Sequence, residues 1–153
     1  SPALEIRRGA EPYELLRMKT DAYVAEGHKR PLVLLLQFGN LAMRNARSVF
    51  STNFFGIAGF DVKEMLVESE ELDMKQLAEI APDFVVLCSS DEEYITIGVE
   101  LARQLSETYH VIVAGNPGEN EQRLREAGIK SFIHIKTNAL QALTEYQHQI
   151  FSK

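Results

Sequence analysis

Pro31-Leu32-Val33-Leu34-Leu35-Leu36 is an apolar run with no polar interruption. A strand with one face to water alternates apolar and polar side chains. An unbroken run instead marks a strand covered on both faces, the situation inside a parallel sheet flanked by helices. Gln37-Phe38-Gly39-Asn40 then turns the chain. Ala42, Ala46, Val49, Phe50 and Phe54 follow at helical spacing, and Asn40 is placed to cap that helix. The chain turns again near Gly59, and Phe60-Asp61-Val62 opens a second strand.

The same beat continues to the C-terminus. Strands are expected over 32–37, 61–66, 83–88, 110–114 and 131–135. Helices are expected over 41–57, 73–81, 92–108, 119–127 and 138–151. Asp91 is placed to cap the helix carrying Tyr94, Ile97, Val99, Leu101 and Leu105; Asn138 does the same for the last, whose Leu140, Leu143, Tyr146 and Ile150 face inward. Gly128 stands where a helix C-terminus wants a left-handed residue. Strands alternating with helices predict an α/β, Rossmann-like doubly wound sheet of five parallel strands, in the flavodoxin-like order. A further helix is expected from Glu11 to Gly27, with Pro12 in its first turn and Tyr13, Leu16, Met18 and Tyr23 on its apolar side. We therefore divide the chain into an N-terminal arm and helix, 1–30, and a domain, 31–153. Residues 1–9, with Arg7 and Arg8, read as an arm or linker remnant. The start at Ser1-Pro2 without an initiator methionine suggests an excised domain or a processed end, the preceding domain being cut away.

Charge and cysteine content narrow the function classes. The net charge is −6 and the basic residues do not cluster, which argues against a nucleic-acid or anionic-membrane partner. No apolar run approaches the roughly 20 residues that cross a bilayer, and no signal peptide precedes the first charges. The one cysteine, Cys88, falls in the third strand and cannot form an intramolecular disulfide, so a reducing cytoplasm is expected.

Ligands of an open parallel sheet sit outside the carboxyl ends of the strands, where strand order reverses. Here that rim is Gln37–Ala42, Ser89–Tyr94, Ala114–Gly118 and Lys136-Thr137. A dinucleotide site needs Gly-x-Gly-x-x-Gly in the first turn, and only Gly39 is present. The same turn lacks the hydroxyls of a flavin phosphate loop. A phosphoryl-accepting receiver would use Asp91 and Lys136, but the acidic pair that binds magnesium is missing. Ser89-Ser90-Asp91 reads first as a helix N-terminus. His28, His110, His134 and His148 show no metal-ligand spacing. Nothing near Cys88 would lower its pKa, and Asn116-Pro117-Gly118 is a turn.

Several segments together resemble a known family. They are Glu11–Arg17, Lys29–Leu35, Ala46–Phe50 with Asn53–Phe55, Val85–Tyr94 and Val113–Pro117. They look like the C-terminal, cobalamin-binding-like domain of the methylmalonyl-CoA mutase small (beta) subunit. The resemblance covers the chain from about Glu11. It implies a heterodimer whose large subunit binds adenosylcobalamin and interconverts methylmalonyl-CoA and succinyl-CoA, while the small subunit, a barrel followed by this domain, is catalytically silent. Related domains that hold cobalamin carry Asp-x-His-x-x-Gly after the first strand, the histidine ligating cobalt. Those three positions fall here on Asn40, Ala42 and Asn45, allowing two extra residues in this helix. An alanine methyl cannot be a ligand. The resemblance thus implies a structural domain of an isomerase with no catalytic, metal or cofactor-binding residues of its own. Ser89, Ser90 and Gly115 would mark what is left of the groove for the cofactor's nucleotide tail. Phe54-Phe55 and the arm before Pro31 are the expected partner contacts, with a place in the core as the alternative for Phe54. Two alternatives stay open: a sensor domain binding cobalamin, or a nucleotide tail, base-on without a protein ligand, and an unrelated flavodoxin-like interaction module.

Overall fold

The computed structural model describes residues 11–153; the arm expected over residues 1–9 lies outside them. Five strands, β1 (Leu32–Gln37), β2 (Asp61–Leu66), β3 (Phe84–Cys88), β4 (His110–Ala114) and β5 (Ile129–Ile133), form one sheet in the order β2-β1-β3-β4-β5. All neighbours pair in parallel. This is the flavodoxin-like order, and strand order reverses between β1 and β3.

The helices are α1 (Pro12–Ala25), α2 (Leu41–Gly56), α3 (Met74–Ile80), α4, α5 (Glu121–Glu126) and α6 (Ala139–Phe151). Helix α4 runs through three segments: Asp91–Glu93, a π turn over Tyr94–Gly98, and Val99–Leu105. The central strands explain the unbroken apolar runs. Val33, Leu35, Phe84 and Val86 point into one core with Phe54, Phe55, Leu143 and Ile150. Leu34, Leu36, Val85 and Leu87 point into the other with Leu77, Tyr94, Leu101 and Leu124. Each fully buried side chain of this kind stabilises the fold by roughly 1.5–3 kcal/mol.

Helix α1 shares the first core. Leu16 and Thr20 are buried, and Gln147 Nε2 of α6 donates to Leu16 O at 2.6 Å and Thr20 Oγ1 at 3.0 Å. Arg30 ties the next segment down by donating to Gly59 O at 2.7 Å and Asp21 Oδ1 at 3.0 Å.

Four sequence expectations need correction. Phe55, named with Phe54 as a partner contact, is 0% exposed and packs on Phe54, Phe60 and Tyr146, while Phe54, at 5%, takes its core alternative beside Phe50. The inward face of α2 is not the alanine stripe: Ala42, Ala46 and Val49 are exposed, whereas Ser48 and Ser51 are buried. Those hydroxyls are satisfied locally, Ser51 Oγ donating to Arg47 O at 2.8 Å and Ser48 Oγ accepting from Gln37 Nε2 at 2.7 Å. Helix α4 is capped by Ser90, whose Oγ accepts from Glu93 N, rather than by Asp91. Strand β5 begins at Ile129, two residues before its expected start. Gly128, at φ +109°, reverses the chain so sharply that Ile129 already pairs with Val111, and a bulge follows.

Candidate functional site

The rim beside the β1–β3 switch point is built from three side chains on α2 and α4. Strand β3 delivers Ser89 and Ser90 to the rim, both buried. Glu93 lies one turn into α4, so its carboxylate folds back over the helix start, the reciprocal half of a capping box. Its Oε1 accepts from Asn40 N at 2.8 Å and Ser90 Oγ at 2.7 Å. Ser89 Oγ lies 3.0 Å from the same oxygen and 2.6 Å from Phe38 O, its one proton serving either. These donors, the Asn40 amide foremost, hold the Glu93 carboxyl below its ordinary pKa.

Gly39 fixes where that carboxylate sits. Its φ is +74°, and a Cβ there would lie 2.0 Å from Glu93 Oε2. The carboxylate therefore rests directly on the glycine backbone of the β1–α2 turn.

Arg47 does the same at the next strand end. From α2 it crosses the rim to donate to Ala114 O, to Tyr94 Oη at 3.3 Å and to Asp91 Oδ1 at 3.2 Å. A Cβ on Gly115 would lie 2.3 Å from Arg47 Nη1. Tyr94, 2% exposed, completes the arrangement beneath. Its hydroxyl lies 2.6 Å from Ala114 O and 3.1 Å from Leu87 O, and accepts from Ser89 N at 2.9 Å. Tyr94 leads the π turn, a helical irregularity that often marks a specialised position. Burial raises its pKa and keeps it neutral.

Asn40 caps α2, its Oδ1 accepting from Met43 N at 2.9 Å. Ala42 and Asn45 stand exposed on the outer side of that helix. Ser89, Ser90 and Gly115 do come together at the rim, and the side chains that join them are Glu93, Tyr94 and Arg47. Ser90-x-x-Glu93 was a legible capping signal. Arg47 bonding to Ala114, 67 residues away, carried none.

Cys88 is a buried, protonated thiol rather than a nucleophile at this rim. Burial pushes the Cys88 thiol up to about 11. Lys136 is exposed, and Asp91 is engaged with Arg47. Among the described residues, no three His, Cys, Asp or Glu side chains gather to hold a metal. Nor is any described helix long and apolar enough to cross a membrane.

No protein-family model matches the chain. It is 38% identical over 144 residues to the methylmalonyl-CoA mutase small subunit of Porphyromonas gingivalis, a match spanning 94% of this chain and 22% of that protein. It is 30% identical over 149 residues to the probable methylmalonyl-CoA mutase small subunit of Mycobacterium bovis, spanning 94% and 23%. The chain thus covers less than a quarter of the length of these relatives. Among solved structures, a cobalamin-binding protein from Desulfitobacterium hafniense superposes with a TM-score of 0.58 over 93% of this chain and 71% of that one. At 18% identity, that likeness is one of fold. Over 94% of its length, this chain is related to methylmalonyl-CoA mutase small subunits.

Proposed function

We propose that the chain is a non-catalytic packing domain of a methylmalonyl-CoA mutase small subunit, in a cytosolic heterodimer. Its partner, the large subunit, would carry adenosylcobalamin and interconvert methylmalonyl-CoA and succinyl-CoA. One observation carries this reading: the two glycines that would let a ligand approach the rim are each covered by the protein's own charged side chain, Gly39 by Glu93 and Gly115 by Arg47.

The residues present do not fit a cobalt-ligating site. Ala42 has no donor atom, and it and Asn45 stand on the solvent side of α2. The Asn40 side chain is committed to its helix cap. Base-on binding, which needs no protein ligand, meets a different obstacle. A nucleotide tail passing Gly115 must take Arg47 from Ala114, Tyr94 and Asp91 together. Hydrogen bonds to a charged group contribute about 1.5–3 kcal/mol each where water is excluded, and less at a partly exposed site. The sensor alternative must offset that loss before any affinity remains.

A rim stitched from within has a mechanical use. It fixes α2 against α4 across the sheet, giving a rigid surface for a neighbouring domain or subunit. The test is to express the large subunit with the complete small subunit and with one lacking this segment. The reading predicts that deletion sharply lowers the yield of heterodimer on size exclusion. Undiminished heterodimer would refute it.

A further inference from the structure

Helix α2 meets solvent without a charge. Its exposed side chains, from Leu41 to Asn53, are aliphatic or the neutral polar Asn45, Thr52 and Asn53. Its two arginines are half-buried and turned back on the rim, Arg44 Nη1 donating to Gly39 O at 3.0 Å and Arg47 crossing to Ala114 O. Every other described helix exposes charge, from Lys19 on α1 to Glu145 on α6. Leu41 and Val49 are 61% and 62% exposed on this face. Single exposed apolar side chains are ordinary, but a continuous uncharged helix face marks a contact surface. We propose that this face is covered in the complete protein by a helix from another part of the same polypeptide, outside these 153 residues.

The spacing suits a helix as the occupant. Ala42, Ala46, Val49 and Asn53 follow one another at intervals of four, three and four, which aligns them as one strip. A second helix packs along such a seam, and alanine side chains allow the axes to approach to about 8 Å, the close end of the usual range. Size and charge then select the source. A 16-residue helix is about 24 Å long and about 10 Å wide, a footprint of roughly 240 Å². Stable association of separate chains buries about 800 Å² per partner, so this strip alone cannot hold a second copy or a free protein. A segment of the same chain needs far less area, because the linkage supplies an effective concentration on the order of millimolar. Charge steers separate partners to one another, and a linked helix needs no steering. The relative from Porphyromonas gingivalis has the length to supply such a helix, since the match spans 22% of it.

This inference rests on the small-subunit reading and gives its packing a surface. The test is thiol labelling with a bulky maleimide, read at each position by peptide mass spectrometry. Cys88 is buried with its thiol pushed up to about 11, so it reacts slowly. Val49→Cys and Asn53→Cys should react quickly in this chain alone. In the complete small subunit they should react roughly tenfold or more slowly, because reagent enters only when the contact opens locally. Lys75→Cys, exposed on α3 across the sheet, should react at one rate in both proteins. Equal rates at Val49→Cys and Asn53→Cys in the two proteins, or matching protection at Lys75→Cys, would overturn the proposal. So would protection that appears only when the large subunit is added, which assigns the face to a partner subunit. Protection that grows with concentration in this chain alone would assign it to a second copy and overturn the proposal equally. Heterodimer yield is a separate readout. Unprotected cysteines in a subunit whose heterodimer still depends on this segment overturn this inference alone; protected cysteines with undiminished heterodimer on deletion overturn the assembly role alone.

Discussion

Replacing Tyr94 by Phe removes one oxygen from the interior while leaving the ring in place. The ring is 2% exposed and packs edge-on to Phe38 at 6.3 Å between centroids, so phenylalanine opens almost no cavity. The cost comes from the partners left behind. Ala114 O, 2.6 Å from the hydroxyl, keeps the Arg47 guanidinium as a donor. Ser89 N does not fare as well: its bond to Tyr94 Oη at 2.9 Å is lost, and Ser89 is 0% exposed. One stranded buried amide costs about 1–3 kcal/mol. For a chain of this size each kcal/mol lowers the midpoint by about 2–4 °C, so a 2 kcal/mol loss amounts to a drop of about 4–8 °C. Urea denaturation followed by far-UV circular dichroism reads the same quantity directly. Tyr13→Phe is the control, because Tyr13 is 47% exposed and should change stability by less than about 0.5 kcal/mol. A Tyr94→Phe variant within about 0.5 kcal/mol of the parent would refute the reasoning. It would mean that water reaches Ser89 N and that the rim is not closed.

Phe55→Ala should cost about 3–5 kcal/mol in urea denaturation, the range for a fully buried aromatic, since Phe55 is 0% exposed; a loss under 1 kcal/mol would return it to the surface. Acid should weaken the fold through His110, whose pKa burial, aided by Lys130, lowers to about 4 from 6.5. The unfolded chain takes up that proton first, so the stability is present above about pH 6.5 and is lost as pH falls towards 4. At pH 5 the loss is at most about 2 kcal/mol, with partial exposure reducing it. Comparing the parent with His110→Phe at pH 7 and pH 5 isolates this contribution; identical pH dependence in both would contradict it. Glu93, held low by Asn40 N, acts in the same direction at lower pH, its contribution disappearing as the carboxylate protonates.

The central strands were readable because burial on both faces leaves a chemical trace: a run such as Leu32–Leu36 has no polar partner to place toward water. The first crossover helix was harder. Alanine suits any helical position, so Ala42 and Ala46 suggested a buried face that the fold leaves exposed. The true inward face carries Ser48 and Ser51, whose hydroxyls find partners one helical turn away or on the neighbouring strand. Phe55 looked exposed beside Phe54 because neighbours in a helix diverge by about 100°. Both are nevertheless enclosed, since α2 ends in the angle between the sheet, Phe60 and Tyr146. At the rim, serine and glutamate at capping spacing were visible in sequence. The Arg47 contacts were not, because they join α2 to β4 and α4 through tertiary geometry alone.

The central claim is that the protein's own side chains occupy the approaches a cobalamin would need. It is tested most directly by titrating the chain with cobalamin, recording the visible spectrum and measuring what survives desalting. The account predicts an unchanged spectrum and no retained cofactor. A retained cobalamin with a base-on spectrum would contradict it, and would require Arg47 to leave Gly115.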